Sequence, residues 1–294
     1  MRMIITNIIG GIGNQMFQYA AGRSLALNND AQLFLDVNDF KSYYLHNGFE
    51  LNRVFNISAN LATPDSINYF IPLSSVRIIK KYILKIPFNF FKYKGVAFNL
   101  SSKYFPKFDK LGVNTYLFGY WQSEKYFKIW ENEIRNDFKF RDDLHGLNHQ
   151  ISLSMKKSQS VSLHIRRGDY ITNSKTQSVM ETCSLDYYLR AINCIQSQIH
   201  NPLFFIFSND IEWAKKNLHL NYNFVYIDHN HGPNSYRDMH LMSLCKHHII
   251  ANSSFSWWGA WLNPSPQKIV IAPKVWFRNN SEDDDLIPED WVRL

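Results

Sequence analysis

Two adjacent arginines, Arg166 and Arg167, followed by Gly168 and Asp169, are the residues of this chain best suited to chemistry. They follow Val161, Leu163 and Ile165, which alternate with Ser162 and His164 in the period-two pattern of a strand. Guanidinium groups this close at a strand end repel unless an anion lies between them or carboxylates flank them. Arginine's planar fork offers parallel N–H donors that match phosphate. The segment reads either as a diphosphate site at the carboxyl end of a strand or as a structural ion pair of Arg167 with Asp169.

Two further polar clusters follow predicted strands. Ser208, Asn209 and Asp210 come after the apolar run Leu203–Phe207, and Asn252, Ser253, Ser254 and Phe255 come after 248–251. In open α/β sheets, ligands bind outside the carboxyl ends of the strands. Hydroxyls and backbone N–H groups at a helix start, as Asn252–Ser254 would supply, favour phosphate. Asp210 has the chemistry to accept from a base N–H edge. Helix capping accounts for each cluster taken singly; the three together with Arg166 favour a nucleotide diphosphate.

Gly10-Gly11-Ile12-Gly13-Asn14-Gln15 is a weaker signal. It resembles a dinucleotide fingerprint, with Asp36 about where a ribose-binding acid would sit, but Met16 stands where a third glycine is expected. His229-x-His231 and His247-His248 lack a third ligand in metal spacing and read as solvated or core histidines. No metal site is expected.

The elements that must position these residues are legible. Met3–Ile9 reads as a strand, Gly10–Gly13 as a turn, and Met16, Phe17, Ala20, Ala21, Ser24 and Leu25 as one face of a helix with Asn14 at or near its start as a cap. Ala31–Leu35 is a second strand. Thr115–Gly119 suits another, and Leu144–Ser160 a helical or looping crossover. From Val161 onward, strands and helices alternate: strands at 161–165, 203–207, 224–227, 248–251 and 268–272, helices at 185–199, 211–218, 235–246 and 257–262. This predicts an α/β fold with a doubly wound parallel sheet, and two Rossmann-like halves facing a cleft, residues 1–150 and 151–294.

The chain has 294 residues, 45% of them hydrophobic, and a net charge of +7. Such a composition excludes a disordered chain and favours anionic partners. Between Asp65 and Asp109 there is no acidic residue, while Arg77, Lys80, Lys81, Lys85, Lys92 and Lys94 interleave with apolar and aromatic side chains. This stretch reads as a face for an anionic membrane surface or acceptor, or as an amphipathic helix whose lysines face water. Three cysteines without a CxxC pair fit a reducing compartment. Neither a signal peptide nor an 18-residue apolar run is found, so a cytoplasmic protein is expected, peripheral on the inner membrane only if the basic stretch is a membrane face and not a solvated one.

Gly10–Ala20, His164-Ile-Arg-Arg-Gly-Asp169, Phe207-Ser-Asn-Asp210 and Ala251-Asn-Ser-Ser-Phe-Ser-Trp-Trp-Gly-Ala260 together resemble, in order, the four motifs of bacterial α-1,2-fucosyltransferases of glycosyltransferase family 11. Tyr120-Trp-Gln-Ser-Glu124 is also similar to a segment of that family. The resemblance implies a GT-B-like fold, GDP-fucose as donor, inversion at the anomeric carbon, a galactoside acceptor and no required metal or cofactor. It implies that Arg166, the first arginine of its motif, grips the donor β-phosphate, with His164 in the same motif. Gly11, Gly13, Asn14 and Gln15 resemble the segment lining the donor's sugar and diphosphate; Asn252, Ser253, Ser254 and Phe255 match the segment closing on the phosphates. Asp210 matches loosely as the guanine partner. A general base is optional in a loose transition state; Asp36 and Asp169 are its candidates, and Asp169 is better suited to orient Arg166 or Arg167. The acceptor's neighbouring sugar, and whether it is lipid-linked, stay open; nucleic acid is not an expected partner.

Two other readings compete. A nicotinamide-dependent oxidoreductase fits the glycine turn and Asp36, but not the missing glycine or the arginine pair. A non-catalytic glycan-binding protein fits Trp257, Trp258 and Trp261, but leaves the donor-site set without a purpose.

Overall fold

The computed structural model describes residues 2–41, 46–57, 60–72, 95–99, 103–218, 223–278 and 285–294, apart from the side chains of Asp169 and Lys175. The basic stretch 77–94 lies outside the described residues. The chain divides into two compact units, Met1–Arg141 and Asp142–Leu294, upstream of the expected border after residue 150.

The first unit is built on a parallel sheet in the order β3-β2-β1-β5-β4. Its strands are β1 (Met3–Asn7), β2 (Gln32–Asp36), β3 (Asn60–Leu61), β4 (Val96–Asn99) and β5 (Thr115–Gly119). β1 is central and buried along its whole length, as a parallel strand covered on both faces should be. Helix Ile12–Asn28 returns the chain from β1 to β2. Close packing against β1 falls to Gly22, where a Cβ would lie 2.0 Å from Thr6 Oγ1. That contact supplies what the absent third glycine of a fingerprint would give. Below the sheet, Ile5, Ile67, Phe70, Ile71 and Tyr116 form a buried cluster.

The second unit carries a parallel sheet in the order β11-β10-β9-β6-β7-β8. The strands are β6 (Gln159–Ile165), β7 (Pro202–Ser208), β8 (Phe224–Ile227), β9 (His247–Ile249), β10 (Val270–Ala272) and β11 (Val292–Arg293). From β6 the chain moves outward through β7 to β8, then crosses back to lay β9 on the other side of β6. This is the doubly wound nucleotide-binding order, with its switch point between β6 and β9. Phe204 and Ile206 of β7 pack on one face with Leu163 and Ile192, while Phe205 and Phe207 pack on the other with Met155 and Met242. That two-sided burial is why β7 is a continuous apolar run. The stretch expected as a crossover is helix Gly146–Lys157, which belongs to the second unit and buries Met155.

Trp257, Trp258 and Trp261 lie in the core of helix Ser254–Leu262, each at most 2% exposed. Trp257 Nε1 donates to the Leu286 carbonyl at 3.0 Å, and its ring stacks on Trp261. They offer no platform to a glycan, so the feature that suggested a glycan-binding protein is a packing feature. His248 is a core histidine, held between Ser162 Oγ at 2.8 Å and Asn263 Nδ2 at 2.9 Å.

Candidate active site

The exits of β6 and β9 bring His164, Arg166 and the segment Asn252–Phe255 to one edge of the second sheet. His164, on β6, is buried, and its Nδ1 lies 2.8 Å from Ser256 Oγ on the helix after β9. The serine's other acceptors, the carbonyls of Ala251 and Ser253, are at 3.5 and 3.4 Å. We therefore assign Ser256 as donor to Nδ1, which leaves the ring proton on Nε2. Burial, and then the Arg166 charge, push the His164 pKa down to about 3, so the ring is neutral at pH 7. Phe255 packs against it, ring centroids 5.9 Å apart.

The two arginines part company after the strand. Arg166 lies over the Tyr170 ring at 5.6 Å, and Tyr170 OH donates to the Asn252 carbonyl at 2.9 Å. It is thereby placed on the β9 side of β6, at the switch point. Arg167 turns the other way. Its Nε donates to Asp210 Oδ2 at 3.2 Å and its guanidinium stacks on Trp213 at 4.1 Å. The structural ion pair of Arg167 is thus made with Asp210. Asp169 lies in helix Gly168–Thr172, and its side chain is outside the described residues, so its expected role gains no geometry. Asn209 Oδ1 accepts from the backbone N–H groups of Arg167 and Gly168, at 2.9 and 3.3 Å, and so shapes the turn that aims the arginines. A Cβ at Gly168 would meet Asn209 Nδ2 at 2.2 Å, which is why that position is glycine.

Several expected ligand residues have other duties. Asp210 caps helix Ile211–Asn217 through Trp213 N–H at 3.2 Å while it pairs with Arg167. Asn252 is 1% exposed. Its amide donates to the carbonyls of Glu181 and Trp276 at 2.7 and 3.0 Å, tying loops together instead of facing a ligand. Ser253 is the N-cap of helix Ser254–Leu262, its Oγ accepting from Phe255 N–H at 3.3 Å. Ser254 and Phe255, half-buried in the first turn, are the residues this helix start presents outward. Beyond β8, Asn230 Nδ2 donates to Asp238 Oδ1 at 2.8 Å, and burial pushes the Asp238 carboxyl up to about 7.

In the first unit the switch point lies between β1 and β5. Gly10 has φ +90°, open to glycine at little cost, and an added Cβ there would meet Asn14 Nδ2 at 2.9 Å. The helix N-cap is Gly11, with no side-chain cap bond, so Asn14 is not the cap expected. Its Oδ1 instead accepts from Gln122 Nε2, just past β5, at 2.9 Å. Gln122 and Ser256 went unassigned in the sequence, although the segments holding them were the familiar ones. Gln15, expected at the donor, is 0% exposed. Its Nε2 donates to the carbonyls of Gly10 and Gly48, both at 2.8 Å, and its Oε1 accepts from Glu50 N–H at 2.9 Å. It holds the glycine turn and does not touch a ligand. Asp36 is corrected likewise: at 0% exposure it accepts from Tyr116 OH at 2.7 Å and from Asn38, and it serves neither as general base nor as ribose acid. Burial and that carboxylate push the Tyr116 phenol well up, which keeps it a donor.

Residues 1–294 match the family model described as Glycosyl transferase family 11. The chain belongs to glycosyltransferase family 11. It is 36% identical over 300 residues to the Escherichia coli alpha-1,2-colitosyltransferase, covering 100% of this chain and 99% of that protein. It is 34% identical over 308 residues to the Escherichia coli O-antigen biosynthesis glycosyltransferase WbnK, covering 97% of this chain and 98% of that one. The fold is similar to that of the fucosyltransferase NodZ from Bradyrhizobium, with TM-score 0.53 and 14% identity over 90% of this chain and 94% of that one. This likeness bears out the α/β, GT-B-like class. Among the described residues of this family 11 chain, no group of three or more His, Cys, Asp or Glu could hold a metal ion, and no helix is long and apolar enough to cross a membrane.

Proposed function

We propose that the protein transfers L-fucose from GDP-fucose to the 2-hydroxyl of a terminal β-galactoside, with inversion, in the synthesis of O-antigen or another surface glycan. The observation that carries this is Arg166 over Tyr170, whose hydroxyl bonds to the Asn252 carbonyl two residues before the helix that starts at Ser254, at the β6/β9 switch point. Breaking the C1–O bond leaves charge on GDP and an oxocarbenium-like sugar. A guanidinium and a helix N-terminus are suited to the departing diphosphate, and His164 adds an Nε2–H donor. The likeness to an alpha-1,2-colitosyltransferase supports a second donor, since colitose is fucose without its 3-hydroxyl. Incubation with GDP-fucose and GDP-colitose against a panel of β-galactosides, with the linkage read by NMR, tests both. Absence of an α-1,2 product from either donor removes the proposal.

Because protein groups supply the countercharge, no metal or cofactor is part of the proposal. Transfer is expected to persist in excess EDTA. Complete loss, restored by Mg²⁺ or Mn²⁺, would show a metal-dependent mechanism instead.

We also propose, from charge alone, that the protein works at the cytoplasmic face of the inner membrane on a lipid-linked acceptor, touching anionic lipid through residues 77–94. Six positive charges lie there without an acid, each contributing ~1 kcal/mol near an anionic surface when exposed. Sedimentation with anionic vesicles is expected at low salt. It should weaken with salt and when Lys80, Lys81 and Lys85 are changed to Glu. Protein remaining in the supernatant with anionic vesicles at low salt would make these lysines an ordinary solvated face.

A further inference from the structure

Strand β6 sends one row of polar side chains onto a single face: Ser162 and His164, with Arg166 next in the row just past the strand. Strand β9 and the helix Ser254–Leu262 meet that row with side-chain partners. Ser162 Oγ lies 2.8 Å from His248 Nδ1, and His164 Nδ1 lies 2.8 Å from Ser256 Oγ. Ser256 is 1% exposed and His164 5%, so their bond is made inside the protein. All of these residues belong to the second unit.

The two histidines of this face carry their protons on opposite nitrogens. Burial, the largest influence on each, keeps both rings neutral. The Asn263 amide is oriented by backbone: Nδ2 donates to the Cys245 carbonyl at 2.8 Å, and Oδ1 accepts from Ser265 N–H at 2.9 Å. His248 Nε2, 2.9 Å from Asn263 Nδ2, must therefore accept, and its Nδ1–H donates to Ser162. His164 has the reverse arrangement. Were Nδ1 its donor, the Ser256 hydroxyl hydrogen would be left with the Ala251 and Ser253 carbonyls at 3.5 and 3.4 Å, beyond the usual O–H···O range. With Ser256 donating, Nδ1 accepts and the proton stays on Nε2. Burial is common to both rings and does not choose between tautomers; the partner side chain does.

We propose that Ser256 is a positioning residue of the donor site, whose hydroxyl holds His164 in the tautomer that offers an N–H, not a lone pair, to the nucleoside diphosphate; the proposal rests on the glycosyl-transfer reading above. The two tautomers differ in what they do to an anion. An Nε2–H donates to a phosphate oxygen, whereas a bare Nε2 would set lone pair against lone pair. Ser256 is enclosed among Nδ1 and two backbone carbonyls, so it acts through the ring and not on the donor itself. No proton changes hands: the ring is neutral before and after the diphosphate leaves.

In the full chain labelled with ¹⁵N-histidine, the His164 ring signals are identified by their absence in His164→Gln. The wild type is expected to show a protonated Nε2 and a bare Nδ1, and Ser256→Ala to move the proton toward Nδ1 or mix the two forms. The Kd for GDP by calorimetry is expected to rise about tenfold in Ser256→Ala, the worth of one hydrogen bond to a charged group. Ser256→Thr keeps the hydroxyl and should restore both the spectrum and the affinity. A protonated Nδ1 in the wild type overturns the proposal. So does a tautomer that Ser256→Ala leaves unchanged, or a GDP affinity that stays at the wild-type level while the proton moves. Should Ser256→Ala fail to fold, replacements of the ring decide. His164→Gln keeps a donor about where Nε2 stands and His164→Asn does not, so the glutamine variant should bind GDP more tightly; equal or reversed affinities overturn the proposal. Failure of the glycosyl-transfer reading looks different. A wild type that binds GDP with the expected tautomer but transfers neither fucose nor colitose supports the role of Ser256 and locates the fault in the transferred sugar. A wild type that binds no GDP overturns both.

Discussion

Replacing Arg166 with alanine is expected to abolish measurable transfer while the fold persists. The guanidinium is a cation that the β6 exit sets over Tyr170, which is tied to Asn252 just before the helix that starts at Ser254. In the proposed reaction, negative charge gathers on the diphosphate as C1–O breaks. A preorganised donor aimed at such charge is typically worth ~3–4 kcal/mol of barrier, or about 10²–10³ in kcat. Arg167 is the internal control. It is ion-paired to Asp210, stacked on Trp213, and 19% exposed in its side chain. Arg167→Ala should lower the melting temperature, by leaving Asp210 without its partner, and should retain more turnover than Arg166→Ala. Steady-state rates, GDP calorimetry and thermal melts on the two variants decide the matter. Wild-type turnover in Arg166→Ala would remove the assignment, and an exchange of the two phenotypes would transfer it to Arg167.

Much of this was legible because parallel strands buried on both faces leave strong traces. β6 alternates into His164 and Arg166, β7 is apolar throughout, and the polar clusters after β6, β7 and β9 mark three strand exits on one sheet edge. What the chain does not print is the direction of a polar side chain. Gln15, Asp36 and Asn252 sit inside or beside the motifs, yet each points inward and is filled by backbone or phenol partners. Polarity near a motif is equally consistent with touching a ligand and with holding the residue that does. Long-range pairs were invisible for a related reason. Gln122 meets Asn14 from 108 positions away, and no local pattern encodes that meeting. Edge strands of two residues, β3 and β11, are too short to show a period. The tryptophans of helix Ser254–Leu262 misled in the other direction, since aromatic richness reads the same in a core as on a sugar-binding face.

Asn14→Ala is expected to lose turnover by about 10²–10³ with an almost unchanged melting temperature. The separation of the two effects follows from how the helix begins. Gly11 is the cap, and its carbonyl receives the backbone N–H groups of Asn14 and Gln15 at 2.9 and 3.1 Å, bonds that any residue at position 14 would make. Losing the side chain therefore removes no cap. It removes one amide-to-amide bond, from Gln122 at 2.9 Å in a half-buried place, with a net worth of about 1 kcal/mol. What remains is the orientation that bond imposes. Gln122 donates to Oδ1, so the Asn14 amide nitrogen is left as the donor, over Gly10 in the segment that resembles the one lining the donor's sugar. Asn14→Asp separates donation from mere acceptance. It keeps an oxygen for Gln122 but has no N–H to offer, so it should be as inactive as alanine if Asn14 works by donating. Wild-type turnover in Asn14→Asp would mean that the residue only anchors Gln122. A fall in melting temperature with turnover intact in Asn14→Ala would make it a structural residue of the helix start.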